Sequence, residues 1–95
     1  MAAVIRERKL LNRGDVVVVQ CDHPCNIRLI DDENLPRFKN GERYAYLGGF
    51  YKIQPARIVV PKGGYWNLSV GFGDEAARAN CQVNYVEVSR HAALL

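Results

Sequence analysis

The sequence predicts an all-β fold, a small antiparallel β-sandwich, from three observations. Apolar and polar residues alternate through Trp66–Phe72, four β-branched residues run unbroken over Val16–Val19, and turn residues recur about every eight to twelve positions. Strict alternation marks a strand with one buried and one wet face. A jelly-roll-like arrangement or a partly open barrel of the same strands is the alternative. Ninety-five residues make one domain, 1–95, with an ordered core over about 4–88 and a tail at 89–95.

In chain order, Ala2–Leu11 fits either a short helix or an edge strand, and Asn12-Arg13-Gly14-Asp15 is a turn by composition. Val16–Val19 follows as a strand buried on both faces or as the central strand of one sandwich layer. Pro24 bends the chain after Asp22-His23, because it donates no backbone bond and restricts its predecessor. Asn26–Ile30 resumes as a strand with Ile27 and Leu29 on one face, so 16–20 and 26–30 are expected to pair as a hairpin. Asp31-Asp32-Glu33-Asn34 ends it. Residues 31–55 carry five of the nine aromatics (Phe38, Tyr44, Tyr46, Phe50, Tyr51), the bases Arg37, Lys39, Arg43 and Lys52, and three glycines. Tyr44–Leu47 and Phe50–Ile53 read as short strands and the rest as a long aromatic loop.

The stretch 56–72 reads as the organising hairpin. Ile58 and Val60 share one face of the first strand, Trp66, Leu68, Val70 and Phe72 one face of the second, and Pro61-Lys62-Gly63-Gly64 supplies a tight turn. Burying the single tryptophan, Trp66, contributes roughly 2–3 kcal/mol. Residues 74–79 have room for one helical turn. Ala79, Cys81, Val83 and Tyr85 alternate in a last strand that ends or bulges near Tyr85.

A formal net charge of +3 is too mild to imply a polyanion partner. The bases near the start (Arg6, Arg8, Lys9, Arg13) read as a solvated face. No stretch approaches the ~20 apolar residues of a membrane span, and no signal peptide is evident. Three cysteines, without the spacing of a disulfide framework, point to the reducing cytoplasm.

Several motifs taken together resemble the bacterial domain of unknown function 1883 family. These are Gly14-Asp15-Val16-Val17-Val18, Cys21-x-His23-x-Cys25-Asn26, Leu29-x-Asp31-Asp32-x-Asn34, Tyr44-x-Tyr46-x-Gly48-Gly49 and Ile58-x-Val60-Pro61-x-x-Gly64-x-Trp66-Asn67. The resemblance runs from about Leu11 to Tyr85. It implies a small β-rich bacterial domain, alone or attached to TIR domains, with no established activity. Asp74-Glu75-Ala76-Ala77-Arg78 stands where the family pattern implies glycine, which leaves the conformation of 73–79 open.

Cys21, His23 and Cys25 are zinc-ligand types, and Cys81 could complete a set of four. On an extended strand, however, positions 21 and 25 lie ~13 Å apart, whereas sulfurs on one zinc lie within about 4 Å of each other. The same distance opposes a Cys21–Cys25 disulfide. Buried cysteines with a hydrogen-bonded turn histidine are the simpler reading, and no metal or other cofactor is expected. Asp31 and Asp32 suit a turn cap better than a calcium loop.

The aromatic-basic stretch 37–52 is the best functional candidate, since tyrosine and arginine concentrate at interfaces. The expectation is a non-enzymatic module that recognises a protein partner or small ligand, with Arg37, Arg43, Tyr44, Tyr46 and Tyr51 as contacts. Nucleic acid and membrane are disfavoured as partners, and exposed strand edges offer a route to homo-oligomers. The alternative is a metalloprotein or cysteine-dependent enzyme using Cys21, His23 and Cys25 with Asp31 or Asp32.

Overall fold

Alternating side chains leave each strand one apolar face to bury, and the chain does so by laying two sheets on each other. The computed structural model describes residues 4–71 and 80–87. The strands are β1 (Val4–Leu11), β2 (Val16–Cys21), β3 (Cys25–Asp31), β4 (Leu47–Tyr51), β5 (Ala56–Val59), β6 (Gly64–Gly71) and β7 (Cys81–Val86), with one short helix, α1 (Leu35–Lys39). One sheet has the order β1-β6-β3-β4 and the other β5-β2-β7, with every pairing antiparallel. The sheets stay separate, so the fold is an open sandwich and not a barrel. The first segment forms a strand at a sheet edge.

The central strands carry the core. Trp66, Leu68 and Val70 of β6 and Cys25, Ile27 and Leu29 of β3 face Val17 and Val19 of β2 and Ala56 and Ile58 of β5, all buried in one cluster. Val16–Val19 is indeed central, between β5 and β7. Cys81, Val83 and Tyr85 pack half-buried against the same cluster, as their alternation requires. The β2–β7 register runs unbroken from Cys21–Cys81 to Val16–Val86, so β7 ends at Val86 without a bulge. Phe72, residues 73–79 and the tail at 89–95 lie outside the described residues.

Two expected hairpins are not formed. β2 lies in the three-stranded sheet and β3 in the four-stranded one, and β5 and β6 are likewise split. The inward faces of both pairs still point at one core, so alternation fits an arch between sheets as well as a hairpin within one. At the β5–β6 crossing, the Val60 N–H donates to the Asp15 carbonyl and the Val60 carbonyl accepts from the Gly14 N–H, each at 2.8 Å. Val60 is itself fully buried. The crossing chain is thereby locked to the 12–15 turn, which forms where composition predicts it. Gly14 there has φ +91°, a conformation that suits a residue without a Cβ. Asp15, 2% exposed, accepts from the Asn12 N–H at 2.8 Å. The Trp66 indole N–H donates to the Lys62 carbonyl at 3.2 Å and so keeps its polar atom satisfied in the core wall.

At one margin of the sandwich, Glu7 of β1 accepts a 2.5 Å hydrogen bond from the Tyr85 hydroxyl of β7, and Lys9 sits 5.1 Å from that ring's centroid. This joins the two sheets. Burial, and then the adjacent Glu7 carboxylate, push the Tyr85 phenol well above its ordinary value of 10.0. The folded protein therefore keeps this proton while the unfolded chain releases it above about pH 10, so stability falls as pH rises past that point. Tyr85→Phe is expected to lessen that alkaline loss, read from melting midpoints between pH 8 and 11.

Gly48 shows a second backbone constraint. Its φ is +116°, and a Cβ there would lie 2.2 Å from the Ile27 carbonyl oxygen of the neighbouring strand. Gly48→Ala is expected to cost roughly 2 kcal/mol or more, measured by urea denaturation.

Candidate functional site

Phe38, Tyr44 and Tyr46 of the aromatic segment stay outside the core cluster. Asp31 begins the segment with a turn: its Oδ1 accepts from the Asn34 N–H at 2.8 Å and from Asn34 Nδ2 at 2.9 Å. Pro36 then stands in the first turn of α1, where its missing N–H costs nothing. The helix buries none of its residues deeply. Sequence reading missed it, and its signal was the Asn34-Leu35-Pro36 start. Asn34 Oδ1 accepts from the Ala45 N–H at 3.0 Å and ties the far end of the loop back to its beginning.

This folding brings Phe38, Tyr44 and Tyr46 together. Phe38 and Tyr44 meet edge-on with centroids 5.1 Å apart, and Tyr44 and Tyr46 are 5.3 Å apart. Tyr46 is 45% exposed. Arg37 and Arg43 are exposed on α1 and after it. Tyr51 goes elsewhere: it packs half-buried against the core cluster, away from the other two tyrosines. Phe50 is 57% exposed on the edge strand β4.

Between α1 and the outer face of the four-stranded sheet lies a groove of about 280 Å³. Ile30, Leu35 and Phe38 give it an apolar floor and wall, while Arg6, Lys39 and Ser69 add polar groups. Ile30 is buried on this face and not in the inter-sheet core. Arg8 is held by Asp32, with Nη2–Oδ2 at 2.6 Å, and its guanidinium lies 3.8 Å from the Tyr65 centroid. Asn67 Nδ2 donates to Asp32 Oδ1 and to the Ile30 carbonyl, each at 2.9 Å. The groove is thus floored by β1, β6 and β3; Arg6 and Arg8 of β1 read in the sequence as a solvated face, and Arg28 of β3 carries no signal there. The signal for Arg6 and Arg8 was their shared phase on one strand.

The cysteines lie at another end of the molecule. Cys21 and Cys81, opposite each other on β2 and β7, form a disulfide. Cys25 is the free thiol, 1% exposed, with its Sγ 3.7 Å from that of Cys21. The separation expected from an extended 21–25 segment is corrected here, because residues 22–24 arch from one sheet to the other and turn both sulfurs inward. The case for a reducing compartment rested on three unpaired thiols, and two of them are joined. Burial pushes the Cys25 thiol up, against a smaller opposing contact from Gln54. That is the reverse of what a nucleophile needs. His23 points away, exposed, with Nδ1 2.9 Å from Asp22 Oδ1. Among the described residues no group of three His, Cys, Asp or Glu side chains could hold a metal ion. No helix among them is long and apolar enough to cross a membrane.

A family model described as Domain of unknown function (DUF1883) matches residues 1–89, and the chain belongs to that family. Searches of the curated proteins and of the solved structures each found no match.

Two carboxylates tie the start of the aromatic segment to its neighbours, Asp31 through Asn34 and Lys62, Asp32 through Arg8 and Asn67. Burial alone would raise Asp31, but hydrogen bonds from Asn34 and the nearby Lys62, at 3.3 Å, bring it below its usual 3.8. Arg8 and then Asn67 lower Asp32. Both contributions are present above about pH 4 and are lost as pH falls through the depressed folded-state values. Melting midpoints followed from pH 6 to pH 2 are expected to fall less steeply for an Asp31→Asn, Asp32→Asn double variant than for the wild type.

Proposed function

We propose that this domain is a recognition module, not an enzyme, and that its ligand enters the groove beneath α1 and is read by the aromatic-basic segment 37–52. The observation that carries the proposal is the packing of Phe38, Tyr44 and Tyr46. Three rings are kept out of the inter-sheet core, in contact with one another edge-on or tilted, beside a groove of about 280 Å³. Leaving rings partly in water forgoes a fraction of the roughly 1.5–3 kcal/mol that full burial of each would give, a cost that a binding surface recovers when it is covered. Arg37 and Arg43 flank the rings, and Tyr44 and Tyr46 are the central contacts. Tyr51 acts from behind, as part of the wall that fixes β4.

The groove lies at the small end of the range for ligand sites. It suits a small molecule or a single side chain of a protein partner. Chemistry at the cysteines has less support, because the one thiol is buried and its proton is held more tightly than usual. Attachment to TIR domains, which the sequence resemblance implies for bacterial relatives, would make ligand binding the input of a signalling protein.

A thermal-shift series with adenosine, benzyl alcohol, benzoate and adenosine monophosphate tests the module. At a hundredfold excess over its dissociation constant, a true ligand adds about 2.7 kcal/mol, or several degrees in a domain of this size. At least one of the four is expected to raise the midpoint. The Arg43→Ala, Tyr44→Ala double variant should lose that shift and keep nearly the same ligand-free midpoint. A shift unchanged in the double variant, or none from any compound, refutes the module.

A further inference from the structure

Strand register places three side chains in one row on the outer face of the four-stranded sheet. Arg6 of β1 is paired with Ser69 of β6, and Ser69 is paired on its other side with Arg28 of β3. At a spacing of ~4.8 Å between strands, the two arginine Cα atoms stand roughly 10 Å apart, with one hydroxyl between them. Like charges so close on one face repel unless something answers them. Among the described residues no carboxylate pairs with Arg6 or Arg28.

Each guanidinium instead rests on a ring. Arg6 is 5.7 Å from the Phe38 centroid, and Arg28 is 5.5 Å from that of Tyr46. Those two rings are the ends of the Phe38–Tyr44–Tyr46 chain. The aromatic segment is therefore an arc with an arginine held at each end. A ring engages the face of a guanidinium and leaves its edge N–H donors for an acceptor. Lys39 brings a third cation to the groove margin, while Arg8 is already committed to Asp32.

We infer that Arg6, Ser69 and Arg28 form an oxyanion site, and that its ligand is a phosphate monoester carried on a flat or apolar body. This rests on the recognition reading above and names the chemistry of its ligand. Two guanidiniums and a hydroxyl approaching from different strands suit a tetrahedral group with three acceptor oxygens and nearly two charges. A planar carboxylate is satisfied by one bidentate arginine. The apolar groove of Ile30, Leu35 and Phe38 adjoins the row and accepts the body to which the phosphate is attached.

Calorimetric titration of the full chain with inorganic phosphate, phenyl phosphate and benzyl alcohol tests the site. Phenyl phosphate is expected to bind about tenfold tighter than inorganic phosphate, and both to weaken as salt is raised. Arg6→Gln and Arg28→Gln should each weaken both phosphates about tenfold or more, in variants whose far-ultraviolet circular dichroism matches the wild type. The Arg43→Ala, Tyr44→Ala variant should lose the advantage of the phenyl ring while still binding inorganic phosphate.

The outcomes separate the two proposals. If phenyl phosphate binds equally well to the arginine variants, or no better than benzyl alcohol, the oxyanion site is overturned, and the aromatic module stands only where the phenyl compound itself binds and needs Arg43 and Tyr44. If phosphate needs the arginines but the ring adds nothing, the anion site stands without the flat body and the aromatic module falls. If neither phosphate binds, the oxyanion site is wrong. Adenosine monophosphate and a phosphotyrosine tripeptide, titrated alongside, distinguish a free nucleotide from a phosphorylated partner as the source. Arginine-dependent binding of either supports the site.

Discussion

Contact between the inward face of β6 and that of β2 is the constraint on which the remaining structure depends. Trp66, Leu68 and Val70 meet Val17 and Val19 with almost no exposed surface. Both strands are central in their sheets, so every other strand is placed by pairing with one of them or, for β4, with a neighbour of one. Because their inner faces are fully used, polar and aromatic residues of the four-stranded sheet can gather only on its outer side. The candidate site is there for that reason.

The alternation of β6 and β7, the β-branched run of β2 and the turn at 12–15 were legible because each is a local pattern with one physical solution. Partnership was not. Ile58, Val60 and Trp66 present the same inward phase whether the 60–63 segment reverses within a sheet or crosses between two. What decides between them is a pair of backbone hydrogen bonds, one from the Gly14 N–H to the Val60 carbonyl and one from the Val60 N–H to the Asp15 carbonyl, more than forty residues away in sequence. Cys21 and Cys25 misled for a related reason. Their spacing along an extended chain is irrelevant once residues 22–24 change layers.

For the site, composition marked Phe38, Tyr44 and Tyr46, and nothing in a one-dimensional reading could attach Arg6 to Phe38 or Arg28 to Tyr46. That attachment needs the registers of β1 with β6 and of β6 with β3, pairings that connect the start of the chain with residues near its far end. Tyr51 shows the converse. It shares the aromatic composition of the segment, yet its position in β4 opposite Cys25 turns it toward the core.

The place of β1 gives the arginine row a mechanical meaning. This strand has a single hydrogen-bonded neighbour, β6, and its grip on the other sheet includes the hydrogen bond from Tyr85 to Glu7. An anion spanning Arg6 and Arg28 would reach over β6 and lash that outermost ribbon to β3 in the interior. Occupancy would then be felt as slower fraying at one margin of the sandwich, with the cargo serving as its own fastener.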